Sequence, residues 1–192
     1  ERADYHPEDL YFETSPIFSL KPKKLGKIEI EKWSFKVNDP TGKTVFKRKG
    51  SGSLPNRLIW DGYDNRGDIL KVGYQYFYIL SILDKAGVPY NIMSKKPKVV
   101  YAIKYRQGNK LILEVSHKVL FKSKRKERLT DKGKKILEEI EDYIKMINKF
   151  PVKIKVFSED KELANDQIYT LKKNLVNDLK VPDDFFKAEG FK

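Results

Sequence analysis

The chain has 192 residues, 40% hydrophobic and 35% charged, a composition typical of a polar globular protein with one or two domains. It contains no Cys, which excludes disulfides and thiolate metal sites, and no apolar run approaches the roughly 20 residues of a membrane span. The net charge is +13, which would attract nucleic acid, cell-wall carboxylates, lipid headgroups or acidic proteins. The lysines are scattered through both halves and no nucleic-acid-binding motif is present, so we do not expect nucleic acid to be the partner.

Residues 1–22 are predicted to form an irregular but ordered arm, because Pro7, Pro16 and Pro22 interrupt any helix. The arm has apolar side chains that are expected to pack along the module that follows: Tyr11, Phe12, Ile17, Phe18 and Leu20. No signal-peptide pattern opens at Glu1. A signal peptide or an outer-membrane lipid anchor would therefore have to precede this residue.

From Ile28 to Ile92, short alternating or β-branched runs are separated by turn residues. The predicted strands are Trp33–Val37, Val45–Phe46, Leu58–Trp60, Gly73–Leu83 and Val88–Ile92. Several short strands at this spacing indicate a β-sandwich.

A specific group of motif residues lies within these strands and turns. They are Trp33, Phe35 and Val37, then Asp39-x-x-Gly42, Trp60-Asp61-Gly62-x-Asp64-x-x-Gly67, Gly73-x-x-Tyr76 and Asp84-x-x-Gly87. This group resembles the immunoglobulin-like domain of the flagellar hook-cap protein FlgD and its relatives. The resemblance implies an interaction or spacer role in bacterial surface, secretion or motility proteins. On physical grounds we expect Trp60 to close the sandwich, Asp61 and Asp64 to bind turn amides, and Gly62 and Gly67 to adopt positive φ.

A hairpin is predicted next, with strands at Val99–Tyr105 and Leu111–Val115 around a turn at Arg106–Asn109. It could finish the first sandwich or pair with the sheet that follows. The sequence Lys95-Lys96-Pro97 breaks the pattern, so we place a boundary there. The predicted division is an arm at 1–22, an all-β immunoglobulin-like sandwich at 23–97 and an α+β domain with a leading hairpin at 98–192.

The last 80 residues have the order strand–helix–strand–helix–strand, with strands at 115–121, 152–156 and 185–191. The first helix begins near Thr130 or Asp131, either of which can cap it. It has an apolar face of Ile136, Leu137, Ile140, Tyr143, Ile144 and Ile147. Its solvated face is predicted to hold Lys134, Glu138, Glu141, Asp142 and Lys145. The second helix is predicted to face inward through Ile168, Leu171, Leu175 and Leu179.

Five short segments of this region match a second family in order. They are Val119-Leu120-Phe121, Leu129-Thr130 with Gly133, Val156 to Asp160, Asn165-x-x-Ile168-x-x-x-Lys172, and Val181-Pro182-x-Asp184 followed by Ala188-x-Gly190. They resemble the OmpA-like, peptidoglycan-associated domains. The resemblance implies an α+β fold and an ancestral site for the diaminopimelate of the peptidoglycan stem peptide.

In the family that this region resembles, an acid and an Arg bind the zwitterionic end of diaminopimelate. The acid position carries Glu159, with Asp160 beside it, and the Arg position carries Lys172. Asn165 is retained. Lysine cannot make the forked contact of a guanidinium with a carboxylate, so we predict that the site is degenerate. The basic loop Lys122–Arg128 also departs from the family and either contacts an anionic partner or is merely solvated.

Enzyme, cofactor and metal functions are not expected. The chain has no Gly-x-Ser-x-Gly and no phosphate-binding Gly-rich loop, and its two histidines, His6 and His117, are far apart. We predict that His117 is a neutral imidazole packed within an apolar strand. Asp61, Asp64, Asn65 and Asp68 superficially resemble a calcium-binding loop. The twelfth position of such a loop needs a bidentate acid, and here it is Val72.

The sequence therefore predicts a non-enzymatic periplasmic scaffold or adaptor of the cell envelope. Its partners would be envelope proteins, with peptidoglycan binding weak or lost. One alternative is a functional peptidoglycan anchor in which Lys172 substitutes for the Arg. The other is a nucleic-acid-binding protein that uses the basic loop.

Overall fold

The computed structural model describes residues 11–22, 28–123 and 126–192. The chain divides into two compact units. The first, which we call the β unit, is Glu13–Glu114. The second, the α/β unit, consists of residues 11–12 and Val115–Lys192 as far as they are described.

The β unit is built almost entirely from antiparallel strands. They are β1 (Phe18–Leu20), β2 (Ile30–Asn38), β3 (Thr44–Ser51), β4 (Leu58–Trp60), β5 (Gln75–Asp84), β6 (Pro89–Met93), β7 (Lys98–Val99), β8 (Ala102–Gln107) and β9 (Lys110–Val115). The main sheet has the order β3-β2-β5-β6, and β7 pairs with the beginning of β5. β1 pairs with β4, and β8 with β9, in two further antiparallel sheets. The β-rich prediction for this region is thereby confirmed.

Alternation along β2 and β5 separates the buried face of the main sheet from its outer face. Trp33, Phe35 and Val37 point inward from β2, and Leu80, opposite Phe35, points inward from β5. Trp60 is 1% exposed and stacks on the ring of Phe18, so β1 and β4 cover the main sheet. The core therefore forms between two sheets.

The hairpin β8–β9 belongs to the β unit, whereas the sequence predicts that it leads the C-terminal domain. The amide of Glu13 donates to the carbonyl of Ala102 at 3.0 Å, and Ile103 is buried in the core between the sheets. Tyr105 packs against the same core. These contacts explain why the structural division follows Glu114 rather than residue 97.

The turn after β4 uses its motif residues as predicted. Asp61 accepts from the Tyr63 amide at 3.1 Å, and Asp64 accepts from the amides of Arg66 at 2.8 Å and Asp68 at 3.0 Å. The hydrogen bond from the Asp68 amide lowers the pKa of Asp64 below its ordinary value. The indole of Trp60 donates to the Tyr63 carbonyl at 2.8 Å, which ties the turn to the core.

The same turn also covers the outer edge of β3. Asn65 Oδ1 accepts from the Lys47 amide at 2.8 Å, and its Nδ2 donates to the Lys47 carbonyl at 3.4 Å. The Asn65 amide donates to the Val45 carbonyl at 3.2 Å. An unpaired strand edge can pair with another chain, and these bonds occupy part of it.

The α/β unit contains three helices and two strands among its described residues. They are α1 (His117–Leu120), α2 (Asp131–Ile147), β10 (Val152–Phe157), α3 (Lys161–Leu179) and β11 (Phe186–Phe191), with a 3-10 turn at Asp183–Phe185. β10 and β11 are parallel, with Val152 opposite Phe186, and α3 is the crossover between them. The two predicted long helices and the two later strands are confirmed.

The strand predicted at 115–121 is wrong. His117–Leu120 is a single helical turn, closed by hydrogen bonds from Val119 to Ser116 at 3.0 Å and from Phe121 to His117 at 2.9 Å. Adjacent residues of a strand face opposite sides, whereas a helical turn allows Val119, Leu120 and Phe121 all to be buried. Within the described residues the parallel sheet therefore has two strands. His117 is exposed rather than packed in a strand.

α2 begins where the sequence predicts, with Thr130 as its cap. The Thr130 hydroxyl accepts from the Gly133 amide at 2.7 Å, and the Thr130 amide donates to the Leu120 carbonyl at 2.8 Å. A Cβ at Gly133 would lie 2.3 Å from the Leu120 oxygen. Position 133 therefore requires glycine because α1 and α2 meet there through the backbone.

The prediction that Glu141 is solvated is wrong, because this residue is only 6% exposed. It follows Leu137 by four residues and precedes Ile144 by three, so it falls within the buried stripe of α2. Burial raises the pKa of Glu141 to about 7, and the nearby Asp178 carboxylate on α3 raises it too. One of its oxygens, Oε1, has no hydrogen-bond partner among the described residues.

Candidate functional site

The predicted stem-peptide residues lie along α3 and just before it. Glu159 follows β10, Asp160 is the N-cap of α3, and Asn165 and Lys172 lie on the helix itself. A helix rises about 1.5 Å per residue, so Asp160 and Lys172 are separated by about 18 Å along the axis. The structure brings Glu159 and Asp160 together at one end of α3 and leaves Lys172 about three turns away.

Each charged member of this group has a partner within the α/β unit. Glu159 forms an ion pair with Lys126, and Asp160 accepts from the Leu163 amide at 2.8 Å. Lys172 Nζ donates to Asp183 Oδ2 at 2.7 Å, and its side chain is only 20% exposed. Glu159 and Lys172 are thus each paired with an opposite charge, Asp160 caps α3, and the three groups do not converge on a common point.

Asn165 lies on α3 beside Gly190 of β11, and its side chain is exposed. A Cβ at Gly190 would lie 3.0 Å from Asn165 Oδ1 and 3.0 Å from the Ala164 side chain. Ala164 is fully buried. Gly190 therefore allows β11 to lie against α3, whereas Asn165 is exposed and only its side-chain oxygen adjoins this contact.

The basic loop Lys122–Arg128 is attached to α3 through its backbone; its residues 124 and 125 lie outside the described part of the chain. Gln167 Nε2 donates to the Lys126 carbonyl at 2.8 Å, and the Thr170 hydroxyl donates to the Glu127 carbonyl at 2.8 Å. Gln167 is 1% exposed. Sequence reasoning missed this residue, although its position three residues after Ala164 and four before Leu171 places it on the buried stripe.

No metal centre is found in the described residues, which contain no group of three or more His, Cys, Asp or Glu placed to hold an ion. In the superficial calcium-loop pattern, Asp61 and Asp64 bind turn amides and Asp68 pairs with Arg66 at 3.2 Å. His6 lies outside the described residues. Nor does any described helix combine the length and apolar composition needed to cross a bilayer.

No protein-family model matches the chain, and no curated protein does. Its structural neighbours include FlgD hook-capping proteins, the family that its motif residues resemble. FlgD from P. aeruginosa is 20% identical with a TM-score of 0.31, over 50% of this chain and 70% of that one. FlgD from Xanthomonas campestris is 20% identical with a TM-score of 0.29, over 46% and 64%.

A β-glucuronidase from Ruminococcus gnavus, in complex with D-glucaro-1,5-lactone, is also similar over 84% of this chain but only 25% of its own. Its identity is 12% and its TM-score 0.23. These values assign the chain to no family.

Proposed function

We propose that the protein is a non-enzymatic scaffold or adaptor of the bacterial cell envelope, working in the periplasm. Its β unit would be an immunoglobulin-like interaction module, and its α/β unit an OmpA-like domain that no longer binds peptidoglycan. One observation supports the loss of peptidoglycan binding. Lys172, at the position of the family's Arg, is hydrogen-bonded to Asp183 and cannot make a forked contact.

The chemistry of the stem peptide explains why this arrangement opposes binding. The end of diaminopimelate is zwitterionic and needs an acceptor for its ammonium and a donor pair for its carboxylate. Here the ligand would have to displace Asp183 from Lys172 and Lys126 from Glu159. Asp160 would also have to release the Leu163 amide, which would uncap α3.

The proposal is tested by sedimentation of the full chain with purified peptidoglycan sacculi. We expect no saturable binding that free diaminopimelate competes away, and no difference between the wild type and Lys172→Ala. Lys173→Ala is the matched control, since it removes a neighbouring lysine from the same helix. Saturable binding that Lys172→Ala abolishes and Lys173→Ala preserves would instead establish a functional peptidoglycan anchor.

A further inference from the structure

Four lysines lie together on the outer face of the main sheet of the β unit, and we call this group the lysine face: Lys32, Lys36, Lys47 and Lys49. Alternation turns Lys32 and Lys36 outward from β2, because Trp33, Phe35 and Val37 point inward. The register sets Lys47 opposite Lys36 and Lys49 opposite Ser34. The lysines are therefore cross-strand neighbours rather than isolated surface charges.

The basic residues are divided evenly, as predicted, but the net positive charge is concentrated in the β unit because that unit has fewer acidic residues. Residues 13–114 contain 20 Lys and Arg but nine Asp and Glu, a net charge of +11. The other 90 residues carry +2. Almost the whole excess charge thus belongs to the unit that contains the lysine face.

The acidic residues of the β unit have partners in turns, in ion pairs or at a tyrosine hydroxyl, and apart from Glu31 these partners lie outside the lysine face. They are Asp39, Asp61, Asp64, Asp68, Asp84, Glu13, Glu29, Glu31 and Glu114. Glu31 lies 3.8 Å from Lys32. Lys36, Lys47 and Lys49 form no ion pair with any described residue. Three of the four lysines of the lysine face therefore lack a counter-charge among the described residues, and the fourth, Lys32, has Glu31 beside it.

The other half of the same sheet face is mainly apolar, apart from Ser81 and Asn91 at its middle. In register with the lysines, Ile79 stands opposite Lys36 and Leu83 opposite Lys32. On β6, Met93 pairs with Ile79 and is 56% exposed. A basic stripe on β2 and β3 thus lies beside an apolar stripe on β5 and β6.

A groove of about 550 Å³ crosses the four strands on this face. Its middle is lined by the small side chains Ser34 and Ser81, between Lys49 on one side and Asn91 on the other. Leu83 lines the same groove. A cavity of this size is in the range that binds small ligands or a few side chains of a peptide.

We propose that the lysine face and its groove bind an acidic, amphipathic segment of a partner protein. Carboxylates would pair with the lysines, which supplies orientation and a fast association rate, and apolar side chains would cover the stripe at Ile79, Leu83 and Met93. The phosphates of a nucleic-acid strand would also pair with the lysines, but its polar sugar-phosphate backbone would then lie against the apolar stripe. The inference does not depend on whether the α/β unit binds peptidoglycan.

Fluorescence anisotropy of the full chain with a labelled probe tests this. The probe is a 14-residue peptide of Glu with Leu at every third or fourth position. The comparators are the same peptide with Ser in place of Leu and a single-stranded 14-nucleotide DNA. The face variant combines Lys36→Glu, Lys47→Glu and Lys49→Glu. The control combines Lys95→Glu, Lys96→Glu and Lys110→Glu, which changes the net charge equally.

We expect the face variant to weaken binding of the Leu-containing peptide at least about tenfold and the control to change it less than about threefold. Met93→Ser changes a single exposed side chain and keeps the proposal testable if the face variant does not fold. This substitution should weaken binding of the Leu-containing peptide but not binding of the Ser-containing peptide. Equal losses in the two triple variants would overturn the proposal. So would equal binding of the Leu and Ser peptides, or tighter binding of the DNA that the face variant abolishes.

Discussion

Glu141→Gln should remove a pH-dependent cost that the buried carboxyl group imposes on folding. The pKa of Glu141 rises from its ordinary 4.5 to about 7 in the folded chain, through burial first and the Asp178 carboxylate second. The folded state therefore holds the proton more tightly than the unfolded state. The stabilisation from this proton is complete below about pH 4.5 and is lost as the pH rises through about 7.

The magnitude follows from the size of the shift. About 2.5 pKa units at about 1.36 kcal/mol per unit give about 3 kcal/mol as an upper value for the difference between pH 4 and pH 8. Glutamine keeps the shape and cannot ionise. The free energy of unfolding of Glu141→Gln, relative to the wild type, should therefore increase by about 1–3 kcal/mol over this range.

The assay is urea unfolding followed by circular dichroism at pH 4, 6 and 8. Glu138→Gln is the matched control, because it changes an exposed glutamate on the same helix. Its difference from the wild type should stay nearly constant with pH. If the difference in the free energy of unfolding between Glu141→Gln and the wild type is equally independent of pH, the surroundings do not hold the carboxyl group neutral and the reasoning fails.

Three other substitutions test separate contacts. Gly133→Ala should destabilise the chain by about 1–3 kcal/mol in the same assay, since its Cβ meets the Leu120 backbone; Lys135→Ala, with an exposed side chain, should have little effect. Asn65→Ala should release the edge of β3 and increase self-association in light scattering at fixed concentration. Gln167→Leu should loosen the basic loop, so that trypsin cleaves within 122–128 several times faster; unchanged cleavage would refute the attachment.

The sequence predicts those elements whose signal is local. The alternation at Trp33, Phe35 and Val37 predicts β2, and the Thr130 cap with its apolar stripe predicts α2. The turn of Asp61 and Asp64 also follows from short-range chemistry, because each carboxylate binds amides within four residues. In all these cases the deciding contacts are close in sequence.

Other features depend on contacts that are distant in the chain. A short apolar run at 115–121 fits a strand or a buried helical turn equally well, and packing of Val119 and Leu120 against α2 favours the turn. The neutralisation of Lys172 depends on Asp183, which α3 and the following turn bring to it. The lysine face needed the strand register, since only pairing shows that Lys36 and Lys47 are neighbours.

The central claim, that α3 no longer binds a peptidoglycan stem peptide, is tested most directly by nuclear magnetic resonance. A soluble muropeptide containing diaminopimelate would be titrated into the ¹⁵N-labelled full chain. The account predicts no saturable shift of the amides of Glu159, Asn165 and Lys172 up to millimolar ligand. Saturable shifts at these three amides, lost in Lys172→Ala, would contradict it.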